Sequence, residues 1–283
     1  MTTPRTRQDR CPGILRPWPA KDGGLVRVRL VGGRLTGRAL AGLSRVAQEY
    51  GDGLLRLTTR ANIQLRALPT ARGRLRDDVV MAIQRLGLLP SRSHDLVRNI
   101  MVSPQSGLSG GRADLRPLAA ALDAALCADP ALADLPAKFL LVLDDGRGDL
   151  ADVPGDLGLV AVGDGEAQLR IGDDWGDVVG LGEAMARLLE LAHAFRLARG
   201  AGPTAAWHVA ELETPLALPR QPRPEATVRS GPLPYGAVAG GRHLPAPEGA
   251  LSPTLVDDMV GEVGEREVVV TPWRGVLIPE EER

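Results

Sequence analysis

Four cations stand beside turns and strand starts, where they could bind an anion. Arg60 lies in the polar bend of TTRANIQLR, and Arg66 closes the same segment. Arg98 precedes a short apolar run, and Lys138 heads the run KFLLVL. Cations at strand ends converge on one edge of a sheet, where they can form charge-assisted hydrogen bonds to carboxylates and oxyanions. The four residues predict a basic site for such a ligand, although each one alone is also what an ordinary solvated charge looks like.

Alternating and helical apolar patterns predict the elements around the first two cations. Leu25–Val31 alternates apolar residues with arginine, as a half-buried strand does. A helix is expected over Arg38–Tyr50, then two short strands joined by a polar bend at Thr58–Asn62. A second helix follows from about Leu75 to Leu86 and ends before a glycine.

The middle of the chain predicts an α/β arrangement around the other two cations. We expect strands at Asn99–Val102 and Lys138–Leu143, and a hairpin that turns at Asp164-Gly165. Two helices are expected, Leu115–Cys127 and Val179–Ala198.

The last third predicts a linker and then a repeat of the opening unit. Seven prolines between Pro203 and Pro234 are typical of a semi-rigid connection. After them, EVVVTPWRGVLI repeats the order found in LLRLTTRANIQL: a β-run, a threonine, a bend with an arginine, and a second β-run. A helix precedes each copy, which favours duplication of one supersecondary unit.

Five segments together carry a resemblance to a known family. They are CPG at residues 11–13, TTRANIQLR, RNI at 98–100 followed by SPQSGL, LPAKF at 135–139 followed by DDG, and TPWRGVLI. In this order they resemble the nitrite/sulfite reductase family, and within it the precorrin-3B synthases. The resemblance covers nearly the whole chain.

The resemblance implies a mixed α+β and α/β fold in which duplicated ferredoxin-like half-repeats flank a central α/β cofactor domain. The implied boundaries are 1–90 for the first half-repeat, 91–200 for the central sirohaem-type domain, 201–231 for the Pro-rich linker and 232–283 for a second half-repeat. This second half-repeat is expected to be incomplete, because no counterpart of the Leu75–Leu86 helix follows it. One face of its sheet is therefore expected to be partly uncovered.

The resemblance also implies roles for individual residues. Arg60, Arg98 and Lys138 match family positions that surround the distal face of the cofactor and bind substrate. The reductases place a second lysine two residues after the first, and this chain has Leu140 there. The residues implied to bind a cofactor or tetrapyrrole are Arg60, Asn62, Gln64, Arg66, Arg98 and Asn99.

Three functions fit these features. The first is an oxidoreductase like precorrin-3B synthase, which hydroxylates a precorrin with oxygen and forms a lactone in cobalamin biosynthesis. The second is a tetrapyrrole- or anion-binding protein without a redox centre, and the third is an inactive truncated homologue. The expected ligand is a tetrapyrrole or a small oxyanion, and the expected protein partner is either a second chain that carries a cysteine-rich segment or a second copy of this chain.

The cysteines that would bind the family's iron–sulfur cluster are not found in this sequence. Members of this family hold a 4Fe-4S cluster, and its reductases also hold sirohaem, yet this chain has two cysteines, Cys11 and Cys127, far apart. A four-iron cluster needs about four thiolates. The four histidines show no paired spacing, so no metal site is predicted, and His94 and His193 are expected to have structural or solvent-exposed roles.

Composition and local patterns exclude several other classes. A net charge of -1 and 3% aromatic residues argue against nucleic-acid binding, and no apolar run is long enough for a membrane helix. The polar, Arg-rich start predicts a cytoplasmic protein without a signal peptide. VGGRLTG lacks the spacing of a nucleotide-binding loop, and Ser103 and Ser106 lack the partners of a nucleophile. The acidic segment with Asp144, Asp145, Asp149 and Asp152 is expected to be a solvated turn.

Overall fold

The computed structural model describes residues 9–281, which form two compact units. Unit 1 contains residues 9–10 and Val97–Pro232, and unit 2 contains Cys11–Leu96 together with the described residues from Leu233 onward. Most of the Arg-rich start on which the prediction of compartment depends, residues 1–8, lies outside the described residues, as do the last two residues of the chain. Within residues 9–281, no helix combines the length and apolar character needed to cross a bilayer.

The first segment of unit 2 contains seven strands and two helices. They are β1 (Trp18–Ala20), β2 (Gly23–Val28), β3 (Arg34–Thr36), α1 (Gly37–Tyr50), β4 (Leu55–Leu57), β5 (Ile63–Leu68), β6 (Thr70–Ala71), β7 (Arg74–Leu75) and α2 (Asp77–Arg85). The side chain of Thr36 accepts a hydrogen bond from the N–H of Ala39 and so caps α1. These elements agree closely with the predicted strands and helices, and Thr58–Asn62 is the bend between β4 and β5.

Unit 1 is an α/β unit built on one sheet. Its elements are β8 (Ile100–Val102), α3 (Arg116–Ala128), β9 (Leu141–Asp144), β10 (Leu157–Gly163), β11 (Glu166–Ile171), β12 (Asp174–Gly180) and α4 (Leu181–Ala198). The strand order is β12-β11-β10-β9-β8, with β8, β9 and β10 parallel and the hairpin β10-β11-β12 antiparallel. Phe139 and Phe195 stack in its core with ring centroids 5.2 Å apart.

Two expectations for unit 1 are wrong in detail. The predicted helix over Val179–Ala198 missed β12, whose Asp174–Gly180 continues the hairpin sheet before the helix begins. The predicted strand over Lys138–Leu143 starts later, because the N–H of Phe139 bonds to the carbonyl of Pro136 in a turn. Lys138 therefore lies in a loop before β9.

The acidic segment is also not the solvated turn that was expected. The side chains of Asp144 and Asp145 are buried, whereas Asp152 is exposed as expected. The Asp144 carboxylate accepts hydrogen bonds from three backbone N–H groups of its own loop, those of Gly146, Gly148 and Leu150. Carboxylates that close a loop in this way are structural parts of the fold.

The Pro-rich segment 201–231 packs on unit 1. The N–H of Arg220 bonds to the carbonyl of Trp175 at 2.8 Å, and the N–H of Arg223 bonds to the side chain of Gln168 at 2.7 Å. The segment was predicted to be a linker, and these bonds show that it is attached to the sheet of this unit instead of running free.

The second segment of unit 2 has the element order of the first. Its elements are β13 (Gly236–Val238), β14 (Gly241–Pro245), β15 (Ala250–Leu251), α5 (Pro253–Val263), β16 (Glu267–Val270) and β17 (Gly275–Pro279). Both segments read strand, strand, strand, helix, strand, strand. The side chain of Ser252 caps α5 as Thr36 caps α1.

The two segments exchange a strand in each direction. The first sheet has the order β1-β2-β5-β4-β15, and the second has β13-β14-β17-β16-β3. Each sheet therefore takes its last strand from the other segment. Gly33 permits this, because a Cβ there would meet the carbonyl oxygen of Val270 at 2.1 Å and the residue has φ +73°.

The expectation that the second sheet is partly uncovered is wrong for the residues described. Val268, Val270, Val276 and Ile278 face the shared core, and they are at most 3% exposed. On the opposite face, His243, Leu277 and Val269 are neighbours across the sheet and are also fully buried.

Candidate functional site

The bend between β4 and β5 presents Arg60 at its tip. The N–H of Thr58 bonds to the carbonyl of Asn62 at 3.0 Å, and the N–H of Ala61 bonds to the carbonyl of Thr58 at 3.0 Å. The Thr58 hydroxyl also accepts a bond from the N–H of Asn62, and Ala61 has the positive φ that the tight turn requires. The geometry of the bend thus explains why the motif has its threonine at position 58 and small or polar residues at positions 61 and 62.

Three side chains form a row on the outer face of the first sheet. Arg27 of β2 and Arg56 of β4 are both register partners of Gln64 on β5. The residues before and after each of them along the strand are buried in the core. Because successive side chains of a strand point to opposite faces of the sheet, these three side chains point away from the core. Arg66, two residues after Gln64, continues the same face. We call Arg27, Arg56, Arg60, Gln64 and Arg66 the basic face.

Arg27 is the least neutralised member of the basic face. Burial lowers the pKa of its guanidinium, and the positive charge of Arg60 lowers that pKa further. Its Nε is buried and has no hydrogen-bond partner among the described residues. A half-buried cation with an unsatisfied donor next to a second cation is unfavourable unless an anion joins them.

Arg29 adds charge at the end of this face. It is 3% exposed and donates to the carbonyl of Asp95 at 2.9 Å and to that of Pro12 at 3.3 Å. Burial lowers the pKa of Arg29 to about 10, with the charge of Arg27 acting in the same direction. Pro12 belongs to the CPG motif, so this motif packs directly against the base of the site.

The other two arginines of the basic face have carboxylate partners. Arg66 bonds to both oxygens of Asp22, at 3.1 and 3.3 Å, and this contact lowers the pKa of Asp22. Arg56 lies 2.7 Å from a carboxylate oxygen of Asp52. These exposed pairs hold their side chains along the rim of the face, where ion pairs contribute little to stability.

Asn62, predicted to bind a cofactor, has a different contact in this structure. It is 1% exposed, and its side-chain oxygen accepts the N–H of Leu30 at 2.8 Å. It therefore ties the end of β2 to the bend that carries Arg60. Its binding role stays a prediction.

The remaining predicted residues lie together in unit 1. Arg98 bonds to both oxygens of Asp123 at 2.7 Å and is 7% exposed. Burial opposes the charge of Arg98, but the hydrogen bond to Asp123 outweighs it and raises the pKa of Arg98. The guanidinium is thus committed to a buried ion pair, and its catalytic role stays a prediction.

Asn99 and Lys138 are structurally linked. The side-chain amide of Asn99 donates to the carbonyls of Ala137 and Phe139, at 3.0 and 3.1 Å. These two residues flank Lys138, so Asn99 fixes the loop that carries the lysine. The Lys138 ammonium lies 4.6 Å from the ring centroid of Trp207, a cation–π contact.

The structure thus brings the predicted residues together in two groups, Arg60, Gln64 and Arg66 in unit 2 and Arg98, Asn99 and Lys138 in unit 1. That the two groups form one pocket stays a prediction. The sequence interpretation missed Arg27, Arg29 and Arg56. The signal for Arg27 and Arg29 was present in the alternation of LVRVRLV, which places both opposite the apolar residues, and Arg56 stands between Leu55 and Leu57 in the same way.

The repeat explains why only one sheet carries the basic face. In the second sheet the equivalent row is His243, Leu277 and Val269. Arg274 was compared with Arg60, but it has φ +58° and occupies the place of Ala61, which has φ +53°. Trp273 is the residue in the place of Arg60, so the charge of the site belongs to the first half alone.

The ligands of an iron–sulfur cluster are not assembled here. Within residues 9–281, no three histidine, cysteine or acidic side chains are placed to hold a metal ion. The chain has two cysteines, both free, and burial raises the pKa of the Cys127 thiol. The donor set does not fit a four-iron cluster.

Comparison with known proteins finds relatives for part of the chain. Residues 18–72 match the Nitrite/Sulfite reductase ferredoxin-like half domain, and this range contains the whole basic face. The chain is 33% identical to a precorrin-3B synthase of Sinorhizobium sp over 57% of its length, and 35% identical to a ferredoxin–nitrite reductase of Synechococcus elongatus over 44%. These matches confirm the resemblance predicted from the motifs.

The matches cover only part of the length of each relative. The chain spans 34% of the precorrin-3B synthase and 25% of the nitrite reductase. The structure of Mycobacterium tuberculosis NirA superimposes with a TM-score of 0.66 at 18% identity, over 99% of this chain and 58% of NirA. The last comparison shows a common mixed α+β fold with several sheets.

Proposed function

We propose that this relative of the nitrite/sulfite reductases, which carries their ferredoxin-like half domain at residues 18–72, binds a polycarboxylate tetrapyrrole on its basic face. The observation that carries the proposal is the half-buried Arg27, whose buried Nε has no partner and which lies within electrostatic reach of Arg60. A carboxylate placed between the two guanidinium groups would accept a hydrogen bond from the Nε of Arg27 and offset the repulsion between the two charges.

Among the relatives, the precorrin-3B synthase type fits best. Its substrate is a precorrin, a macrocycle with several carboxylates, which matches a face with several arginines. Reduction of nitrite or sulfite fits less well, because the position of the second reductase lysine is Leu140, whose side chain is 2% exposed and packs in an apolar cluster. An apolar side chain there offers no charge to a small oxyanion.

The proposed role within such an enzyme is to bind and orient the macrocycle. Arginine donors in a fixed fork match carboxylates in geometry, and each charge-assisted hydrogen bond contributes about 1.5–3 kcal/mol. The oxygen-dependent hydroxylation and lactone formation of precorrin-3B synthase need a redox centre, and we assign it to a second chain that carries a cysteine-rich segment. A tetrapyrrole-binding protein without redox activity is the alternative, favoured by the cysteine count.

Fluorescence titration with uroporphyrin III tests the proposal. Arg27→Gln and Arg60→Gln are each expected to weaken binding about ten- to hundredfold, since 1.4 kcal/mol corresponds to a factor of ten. Arg72→Gln and Arg74→Gln remove the same charge from the exposed β6–β7 hairpin of the same unit and are expected to change affinity less than about twofold. If all four variants bind uroporphyrin III with the same affinity as the wild type, the proposal is wrong.

Competition distinguishes the two ligand classes. If the site binds tetrapyrrole carboxylates, sulfite or nitrite should displace uroporphyrin only at concentrations high enough to screen the charges of the site. Chloride at the same ionic strength should then displace it equally well. Specific displacement by sulfite would instead favour a small-oxyanion site.

A further inference from the structure

His208 differs from the other histidines in its contacts. Both ring nitrogens of His243 are engaged, one by Thr271 and the other by backbone carbonyls. His193 lies on α4 with its Nε2 2.8 Å from Asp129. His208 has the same side-chain exposure as His193, 37%, but its Nδ1 faces a carboxylate that is 2% exposed, whereas the carboxylate of Asp129 is 35% exposed.

The carboxylate behind His208 is rigidly held. Asp156 is 2% exposed, and its oxygens accept the N–H of Leu140 at 2.8 Å and that of Val209 at 2.9 Å. The Nδ1 of His208 lies 3.2 and 3.3 Å from the same two oxygens. The backbone bonds alone satisfy Asp156, so its structural role does not require the imidazole.

These contacts favour one tautomer of the neutral imidazole ring. A carboxylate that already accepts two N–H bonds accepts a third from Nδ1, which places the proton on that nitrogen and leaves a lone pair on Nε2. No bond joins Nε2 to any residue that the structure describes. An Asp-oriented imidazole with an accessible Nε2 is the arrangement of a general base.

The chain on either side fixes the ring in this orientation. His208 is extended and precedes the short helical turn Val209–Glu211, whose first bond joins the N–H of Glu211 to the carbonyl of His208. The N–H of Trp207 bonds to the Glu211 side chain, and the Trp207 ring contacts Lys138. Rigid neighbours of this kind keep a catalytic group in place.

We propose that Asp156 and His208 form a general-base pair in unit 1, with His208 the base and Asp156 its positioning residue. In its simplest reaction, Nε2 takes a proton from water as the water oxygen bonds to an acyl carbonyl carbon. The ester oxygen leaves with its electron pair, and the imidazolium returns its proton to solvent. This function uses no group of the basic face and does not depend on tetrapyrrole binding.

Hydrolysis of p-nitrophenyl acetate by the full chain measures this function without the natural ligand. His208→Gln is expected to lower the protein-dependent rate roughly tenfold, below the 10²–10⁴ range of complete enzyme sites because no oxyanion hole is included. His193→Gln is the matched control, since it removes an imidazole of the same exposure whose carboxylate partner, Asp129, is 35% exposed and not buried as Asp156 is. If both variants lose the same activity, or neither loses any, the proposal is wrong.

A double-mutant cycle tests the role of Asp156. Asp156→Asn alone should lower the rate through loss of the preferred tautomer, whereas adding it to His208→Gln should change nothing further. Independent losses that add would show that Asp156 acts only on the fold and would overturn the pairing. Should Asp156→Asn fail to fold, the comparison of His208→Gln with His193→Gln decides the proposal alone.

Discussion

The half-buried Arg27 and the buried Arg98 show how differently two arginines can be used. Arg27 is destabilised as a cation by burial and by Arg60, and it has no carboxylate partner among the described residues. Arg98 is stabilised as a cation by the bidentate contact with Asp123. A neutralised arginine holds a fold together, whereas one that lacks a counter-charge is suited to a ligand.

The ion pair between Arg98 and Asp123 predicts that removal of Arg98 destabilises the fold. Arg98→Ala leaves Asp123 without its partner at a site that is largely buried, and should lower the free energy of unfolding by about 3 kcal/mol. The double variant Arg98→Ala, Asp123→Ala should recover most of that loss. Urea unfolding of the three proteins measures both effects. Equal stability of the wild type and Arg98→Ala, together with weaker uroporphyrin binding, would show a ligand-binding role instead.

At the scale of elements, the loop between β9 and β10 concentrates buried negative charge. Asp144 ends β9, Asp145 and Asp149 lie within the loop, and Arg147 pairs with Asp145 at 2.7 Å. Asp149 accepts a bond from the Ser103 hydroxyl at 2.7 Å. Burial raises the pKa of Asp149 to about 7, with the charges of Asp144 and Asp145 adding to the rise and the Ser103 bond opposing it.

This loop predicts a pH dependence of stability. The folded chain keeps the Asp149 proton up to about pH 7, whereas the unfolded chain releases it near pH 4, so stability should fall as pH rises between these values and level off above. Asp149→Asn should flatten this dependence. The difference in free energy of unfolding between this variant and the wild type should shift in favour of the variant by about 1–3 kcal/mol from pH 4 to pH 8. Urea unfolding from pH 4 to 8 measures it.

The control for the loop is Asp152→Asn, which removes a carboxylate from the same segment at an exposed position. Its pH profile should match that of the wild type. A wild-type profile that rises through this range, or equal profiles for wild type and Asp149→Asn, would contradict the prediction.

Local patterns predicted most elements, and failed where distant contacts decide. The arginine–apolar alternation of β2 and the helical spacing of α1 were sufficient to place both. The strand β12 was missed because Asp174–Gly180 contains little apolar periodicity, and its pairing with β11 defines it. The burial of Asp144 and Asp145 was missed because a charged, Gly-rich loop resembles a solvated turn unless its hydrogen bonds are known.

The candidate site was predicted in part for the same reason. The TTRAN bend identified Arg60, since its motif is local. Arg27 and Arg56 join it only through the register of β2 and β4 with β5. Likewise, Asp156 and His208 are paired by the fold across many residues of chain, and no spacing rule would have linked them.

For the whole molecule, the reciprocal strand exchange predicts that the two segments of unit 2 depend on each other. The hydrophobic core of this unit contains residues of both, from Val26 and Leu40 to Leu251 and Met259. The strand β15 pairs with β4, and β3 pairs with β16, so neither sheet is complete within one segment. Elements that share a core and a sheet are expected to unfold in one transition.

Leu251→Ala tests this cooperativity. Leu251 belongs to the second segment but lies in the first sheet, where it is fully buried, and its truncation should lower the free energy of unfolding by about 2–4 kcal/mol. With 5-fluorotryptophan, the ¹⁹F signals of Trp18 and Trp273 report on the first and second segments. Both should lose their native signals at the same, lower urea concentration, whereas Leu218→Ala, at a residue 77% exposed, should shift neither. Loss of the Trp273 signal before that of Trp18 would show that the segments fold separately, and that the exchanged strands do not couple them.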